Sequence, residues 1–123
     1  ADAALLFDLA EASAAHLTTS RLALEEARRN IERKRPARRS VLERFAQRVS
    51  IGKEPLPSHL AVAREHGLPD KDVPILAAAI AQRADMLVTG DRRDFGHLYD
   101  ARPAGVEVIG LSRAIERLLA ALG

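Results

Sequence analysis

No cysteine occurs anywhere in this chain. That excludes a disulfide framework, thiol catalysis and a thiolate metal site, and it is compatible with the reducing cytoplasm we expect for it. Tryptophan is absent too, and aromatic residues make up only 3%. The core must therefore be built from Leu, Ile, Val and Ala. Long apolar runs are missing. The longest, Ile75 to Ala81, falls far short of the roughly 20 residues that span a bilayer, so no membrane partner is expected. The N-terminus has no basic stretch followed by an apolar one and does not read as a signal peptide. There is no glycine-rich phosphate loop and no Ser on a nucleophile elbow. The four histidines, His16, His59, His66 and His97, share no metal-ligand spacing and read as surface or capping residues.

What remains is an ordinary globular composition, 47% hydrophobic and 29% charged over 123 residues, and one domain over 1–123 is the expectation. Net charge is only +2, yet it is unevenly spread. Between Arg28 and Arg48 stand Arg28, Arg29, Arg33, Lys34, Arg35, Arg38, Arg39, Arg44 and Arg48 against Glu32 and Glu43 alone. The segment carries a net +7 and the remainder −5. A basic patch beside an acidic remainder suits a protein that grips phosphates next to a carboxylate site. An Arg-rich solvated helix surface is the other reading.

Helical spacing of Leu5, Leu6, Leu9 and Ala12 predicts a helix over 3–15, followed by a brief strand at 16–19. Ser20 caps a helix from Arg21 to Arg35, which Pro36 ends; another helix spans 37–47, then a short strand 49–51 and a loop 52–57. A helix over 58–66 ends at Gly67. A further helix, 72–83, tolerates Pro74 in its first turn and leads into the apolar strand 86–89. After a loop with one helical turn near Phe95 to Tyr99 comes the strand 106–109. Ser112 then caps a last helix on Ile115, Leu118, Leu119 and Leu122. Strands alternating with helices predict an α/β fold with a parallel sheet between helical layers.

In such sheets ligands bind beyond the carboxyl ends of the strands. The strand 86–89 empties into Gly90-Asp91-Arg92-Arg93-Asp94, where Gly90 is expected to permit a sharp turn. Asp91 and Asp94 read either as site carboxylates or as turn and cap residues. Asp70 and Asp72, at a helix start, read either as a site pair or as caps. The hairpin of helix 72–83 and strand 86–89 brings the helix N-terminus to the strand's carboxyl end, so Asp72 and Asp91 should face one another. Glu25 or Glu26 is the third candidate, against the reading of a solvated helical Glu. Converging hard oxygen donors would suit Mg²⁺ or Mn²⁺ and water activation at a phosphodiester.

The order Leu68-Pro-Asp-Lys-Asp-Val-Pro-Ile-Leu-Ala-Ala-Ala, then Ala84-Asp-Met-Leu-Val-Thr-Gly-Asp-Arg-Arg-Asp-Phe95, then Val106-Glu-Val-Ile109, resembles PIN-domain proteins. Leu17 to Asn30 looks like the family's strand and helix with its acidic residue, here Glu26. The resemblance implies a three-layer α/β/α fold and a Mg²⁺- or Mn²⁺-dependent ribonuclease, often the toxin of a VapC-type toxin–antitoxin pair. It implies Asp72, Asp91 and Glu26 as metal-site residues, Asp94 as a fourth acid, and Thr89 as a residue orienting water or a carboxylate. Arg28, Arg29, Arg33, Arg35, Arg38, Arg39, Arg92 and Arg93 would then contact RNA, and an antitoxin and a second copy would be partners. One departure is plain: nothing here matches the family's opening strand with its metal-binding Asp, since Asp2 and Asp8 fall in the first helix. We expect that strand in an omitted or separate segment before Ala1. The competing reading is a catalytically crippled module that binds RNA or protein. A receiver-like or hydrolase-like α/β domain leaves the Thr-Gly-Asp-Arg-Arg-Asp-Phe order unexplained.

Overall fold

The computed structural model describes residues 3–12 and 15–122. Asp2 and the 13–14 stretch of the expected first helix lie outside them. In chain order the elements are α1 (Ala3–Ala12), β1 (Thr18–Thr19), α2 (Arg21–Lys34), α3 (Arg39–Ala46), β2 (Ser50–Ile51), α4 (Pro57–Arg64), α5 (Val73–Ala81), β3 (Met86–Val88), α6 (Arg92–Phe95), β4 (Glu107–Ile109) and α7 (Leu111–Ala121). Short 3₁₀ turns sit at Pro36–Arg38, Gly96–Leu98 and Pro103–Gly105. The fold is α/β with parallel strands, as the alternation predicts.

The four strands pair two by two. β1 runs parallel to β2, with Thr18 opposite Ser50 and Thr19 opposite Ile51. β3 runs parallel to β4, with Met86, Leu87 and Val88 opposite Glu107, Val108 and Ile109. Among the described residues no strand joins the two pairs.

Local signals act where the sequence places them. Ser20 Oγ accepts from the Ala23 N–H at 3.0 Å and starts α2. Pro57 and Pro74 occupy first turns of α4 and α5, where no N–H is needed. The Leu56 N–H ahead of α4 donates to His59 Nδ1 at 2.9 Å, so His59 is a capping residue. Gly67 takes a positive φ of 71° just past α4, which a side chain would resist.

Three expectations need correction. Ser112 does not cap α7: the helix already begins at Leu111, with Gly110 ahead of it and no side-chain cap. Leu111 packs against the Leu9, Ile115 and Leu118 cluster, and the first turn starts two residues earlier than a Ser112 cap would set it. Leu119 and Leu122 are exposed, so the buried stripe of α7 is Ala114, Ile115 and Leu118. Gly90 shows no positive φ, so the turn after β3 does not require glycine.

Two buried clusters hold the molecule. The larger joins Ala63, Leu68, Val73, Leu76, Ala77, Phe95, Leu98 and Val108, drawn from α4, α5, α6, β4, the loop after α4 and the 3₁₀ turn after α6. The smaller joins α1 to α7 through Leu9, Ala10, Ile115 and Leu118. α2 and α3 contain no buried residue. Their pairing rests on half-buried apolar residues and on a two-pronged contact from Arg28 to Glu43, at 2.9 and 2.8 Å.

Candidate metal centre

α5 is apolar on almost every side, with Val73, Leu76, Ala77, Ala78 and Ala79 buried. Such a helix is held by the core rather than by amphipathic choice, and its start is fixed in place. Asp72 stands at that start. It is only 6% exposed, and its side chain makes no capping hydrogen bond. The capping explanation of an acid at a helix N-terminus therefore does not apply to it.

Beyond β3 the chain turns through Thr89 and Gly90. Thr89 Oγ1 accepts from the Asp91 N–H at 3.1 Å, and Asp91 Oδ1 accepts from the Asp94 N–H at 3.0 Å. Asp91 thus caps the four-residue helix α6, which turns Asp94 back toward it. Here the capping and the site readings coincide, because the cap is what aligns the two carboxylates. Phe95, next in sequence, is 2% exposed and pins α6 to the core.

The result is convergence. One carboxylate oxygen each from Asp72, Asp91 and Asp94 lies within 4.8 Å of the others. Ligands around an ion at about 2.1 Å stand no more than about 4.2 Å apart, so a small contraction brings all three onto one cation. The donors are hard oxygens, which fits a divalent metal ion of that class.

Lys71 completes the local charge pattern. Its Nζ lies 2.8 Å from Asp94 Oδ2 and 3.2 Å from Asp72 Oδ2. Those two hydrogen bonds, Asp94 first, raise the lysine's pKa. Asp94 is held below the usual carboxylate range by Lys71 and, next, by its contact with Asp72. Asp72 moves the other way: burial is the main cause, and the neighbouring Asp94 adds to it, against the pull of Lys71. One carboxylate of the pair is thus favoured charged and the other favoured protonated, as crowded acids require.

Of the sequence candidates, the structure brings together Asp72, Asp91 and Asp94, with Thr89 supporting the turn. Glu26 is half-buried on α2 and lies outside this group. Asp8 pairs with Arg48 at 3.1 Å, away from the cluster, and Asp70 is exposed. Lys71 was missed; its place between two acids, Asp70 and Asp72, was the available signal.

The expected phosphate-contacting arginines are all exposed. Arg28 is engaged by Glu43 and Arg39 by Glu32, and Arg33 donates to Asn30 Oδ1 at 3.2 Å. Arg29, Arg35, Arg38, Arg92 and Arg93 have no ion-pair partner among the described residues. Arg48 is structural: it pairs with Glu11 and Asp8 and lies over the Phe7 ring, which stacks on Phe45. No described helix is long and apolar enough to cross a membrane.

Searches of curated proteins and of solved structures returned no match. A family model, the PIN domain, matches residues 1–93. That span takes in the basic helices, Asp72 and Asp91, and stops one residue short of Asp94. The chain belongs to the PIN-domain family, a family of nucleases.

Proposed function

We propose that the protein is a Mg²⁺- or Mn²⁺-dependent ribonuclease that hydrolyses RNA phosphodiester bonds. The observation that carries this reading is the convergence of Asp72, Asp91 and Asp94 within 4.8 Å at the carboxyl end of β3. These three side chains would hold the ion, which supplies polarisation of a phosphoryl oxygen and activation of water. Glu26 would join them only through a bridging water.

The chain's own residues do the rest. Thr89 and the Asp91 cap fix the turn, so one Asp91 oxygen is spent on the Asp94 N–H and the other is left for the site. Burial of Asp72 by Val73 and its neighbours keeps bulk water from one flank. Lys71 balances the acids and keeps Asp94 ionised. Arg29, Arg35, Arg38, Arg92 and Arg93 supply exposed positive charge for the RNA backbone. The toxin role within a toxin–antitoxin pair, with an antitoxin and a second copy as partners in the cytoplasm, rests on the likeness to VapC-type members of the family.

Titration with Mn²⁺ against cleavage of a single-stranded RNA tests this. Asp91→Asn should abolish cleavage and leave RNA affinity equal or higher, since a negative charge is removed. Cleavage by Asp91→Asn at the parent rate would end the assignment. The alternative, a catalytically silent module that binds RNA or protein, draws on one observation: the Lys71 ammonium already bridges two of the three acids. It predicts RNA binding with no metal-dependent cleavage at all.

A further inference from the structure

A second concave site adjoins the carboxylates and is not explained by them. It is a cavity of about 540 Å³ at the carboxyl ends of β3 and β4, closed on one side by the start of α7. That volume falls in the range of small-molecule sites, about 300–1,000 Å³. Thr89 and Gly90 form part of its wall, and Asp91 follows them directly. One turn therefore separates the cavity from the acid cluster.

The lining is of two kinds. Val108 and Ile109, 0% and 2% exposed, are packed beneath the space, and the half-buried Tyr99 ring is the aromatic face beside it. Tyr99 is held rigidly, its hydroxyl donating to the Thr89 carbonyl at 3.0 Å. Arg92 and Arg113 stand at the edge. Arg113 lies 3.4 Å from Asp100 and is half exposed, and Arg92 has no ion pair among the described residues. The 11-residue helix α7 begins at Gly110 with no side chain to satisfy its first amides, so positive potential faces the opening. Asp100 and Glu116 add acceptors for amino and hydroxyl groups.

The space exists because two wall positions carry no side chain. A Cβ at Gly90 would meet nothing within 4 Å. At Gly110 it would meet only Tyr99 Oη at 3.7 Å and the Thr89 carbonyl at 3.9 Å. Gly110 also has an ordinary extended backbone, φ −83° and ψ 175°.

We propose that this cavity is a subsite for one nucleotide of the RNA strand, next to the phosphate held at the acid cluster. The base lies against the half-buried Tyr99 ring, a flat aromatic face that suits stacking and sequence-tolerant contact. Its phosphate meets Arg113, Arg92 and the first amides of α7. The assignment rests on the nuclease reading, but it is tested by binding alone.

The experiment is an amide NMR titration of the full chain in chelator, with adenosine 5′-monophosphate and, separately, inorganic phosphate. The nucleotide should shift the amides of Gly90, Tyr99, Gly110 and Ser112. Gly110→Leu fills the space without backbone strain and should weaken binding by about tenfold or more, while phosphate alone should bind about tenfold more weakly than the nucleotide. If Gly110→Leu does not give a folded spectrum, Arg113→Gln carries the test and should also weaken nucleotide binding. The proposal is overturned if those amides do not shift, if the variant binds as the parent does, or if phosphate binds as well as the nucleotide. Loss of the subsite with Mn²⁺-dependent cleavage intact overturns this assignment alone. Nucleotide binding with no cleavage overturns the nuclease reading alone.

Discussion

Replacing Asp72 with Asn decides whether the buried acid at the start of α5 is a site residue or a structural one. Asp72 is 6% exposed, and its carboxylate accepts a hydrogen bond from Lys71 and lies in contact with Asp94. Asp91 and Asp94 crowd it, with oxygens within 4.8 Å. At that spacing the Asp72 and Asp91 charges repel by about 0.9 kcal/mol in a water-like medium and about 3.5 kcal/mol at an effective dielectric near 20. Burial acts in the same direction, and Lys71 offsets part of both. The expected net is that Asp72→Asn stabilises the metal-free protein at pH 7 by about 1–2 kcal/mol, or roughly 3–8 °C in Tm for a domain of this length.

The pH dependence follows from the sign of the shift. The folded-state pKa of Asp72 lies above the ordinary value of 3.8, chiefly through burial. The folded protein therefore holds this proton more tightly than the unfolded chain does. Stability contributed by Asp72 is fully present below pH 3.8 and falls as pH rises through the raised pKa. The advantage of the Asn variant should be complete at neutral pH and shrink on acidification. Circular dichroism melts in EDTA at pH 7 and pH 4.5 measure it. Added Mn²⁺ should then raise the Tm of the parent and not of the variant. A variant that melts lower than the parent at pH 7 in EDTA, as loss of a helix cap worth about 1 kcal/mol would produce, refutes the reasoning.

Other consequences are simpler to check. Leu76, fully buried in the larger cluster, should cost about 2–5 kcal/mol on truncation to Ala, read by urea unfolding. Ala104 has a left-handed backbone, φ 52° and ψ 29°, so Ala104→Gly should relieve about 1–2 kcal/mol of strain, return about 0.4–1 kcal/mol in unfolded-state entropy, and leave a small net rise in Tm. Replacing Arg29, Arg35 and Arg38 together with Gln should flatten the slope of log affinity against log salt for single-stranded RNA by about 2, since each phosphate contact contributes about 0.7.

Much of the site was legible because its logic is local. The spacing of Asp91 and Asp94 places the second amide where the first side chain can cap it, and the α5–β3 hairpin is short enough to dictate that Asp72 meets Asp91. Glu26 was harder. Periodicity fixes which face of α2 it occupies but not where α2 lies, and α2 follows a two-residue strand and contributes nothing to the buried core. The start of α7 was missed for a related reason: both Gly110 and Ser112 are plausible flanking residues, and the packing of Leu111 chose between them. The cavity left no trace in the sequence, because it is made by side chains that are not there, at Gly90 and Gly110, and becomes visible only once β3 and β4 are paired.

The two proposed functional surfaces are built with opposite rigidity. Two of the three cluster acids have an anchored neighbour: Val73 beside Asp72 and Phe95 beside Asp94, 3% and 2% exposed and members of one buried cluster. A four-residue helix such as α6 has no independent stability in water, so its place is set by Phe95 and Leu98 in the core. Displacing Asp72 or Asp94 means disturbing that packing, which keeps the carboxyl groups close enough to share a cation. The basic helices α2 and α3 contain no fully buried residue; they are tied by half-buried apolar contacts and by surface ion pairs, the latter contributing little to stability. Segments with so few buried contacts open at low cost. Phosphate contacts tolerate such adjustment because they depend on charge rather than on exact position, whereas in-line attack on one phosphorus atom does not.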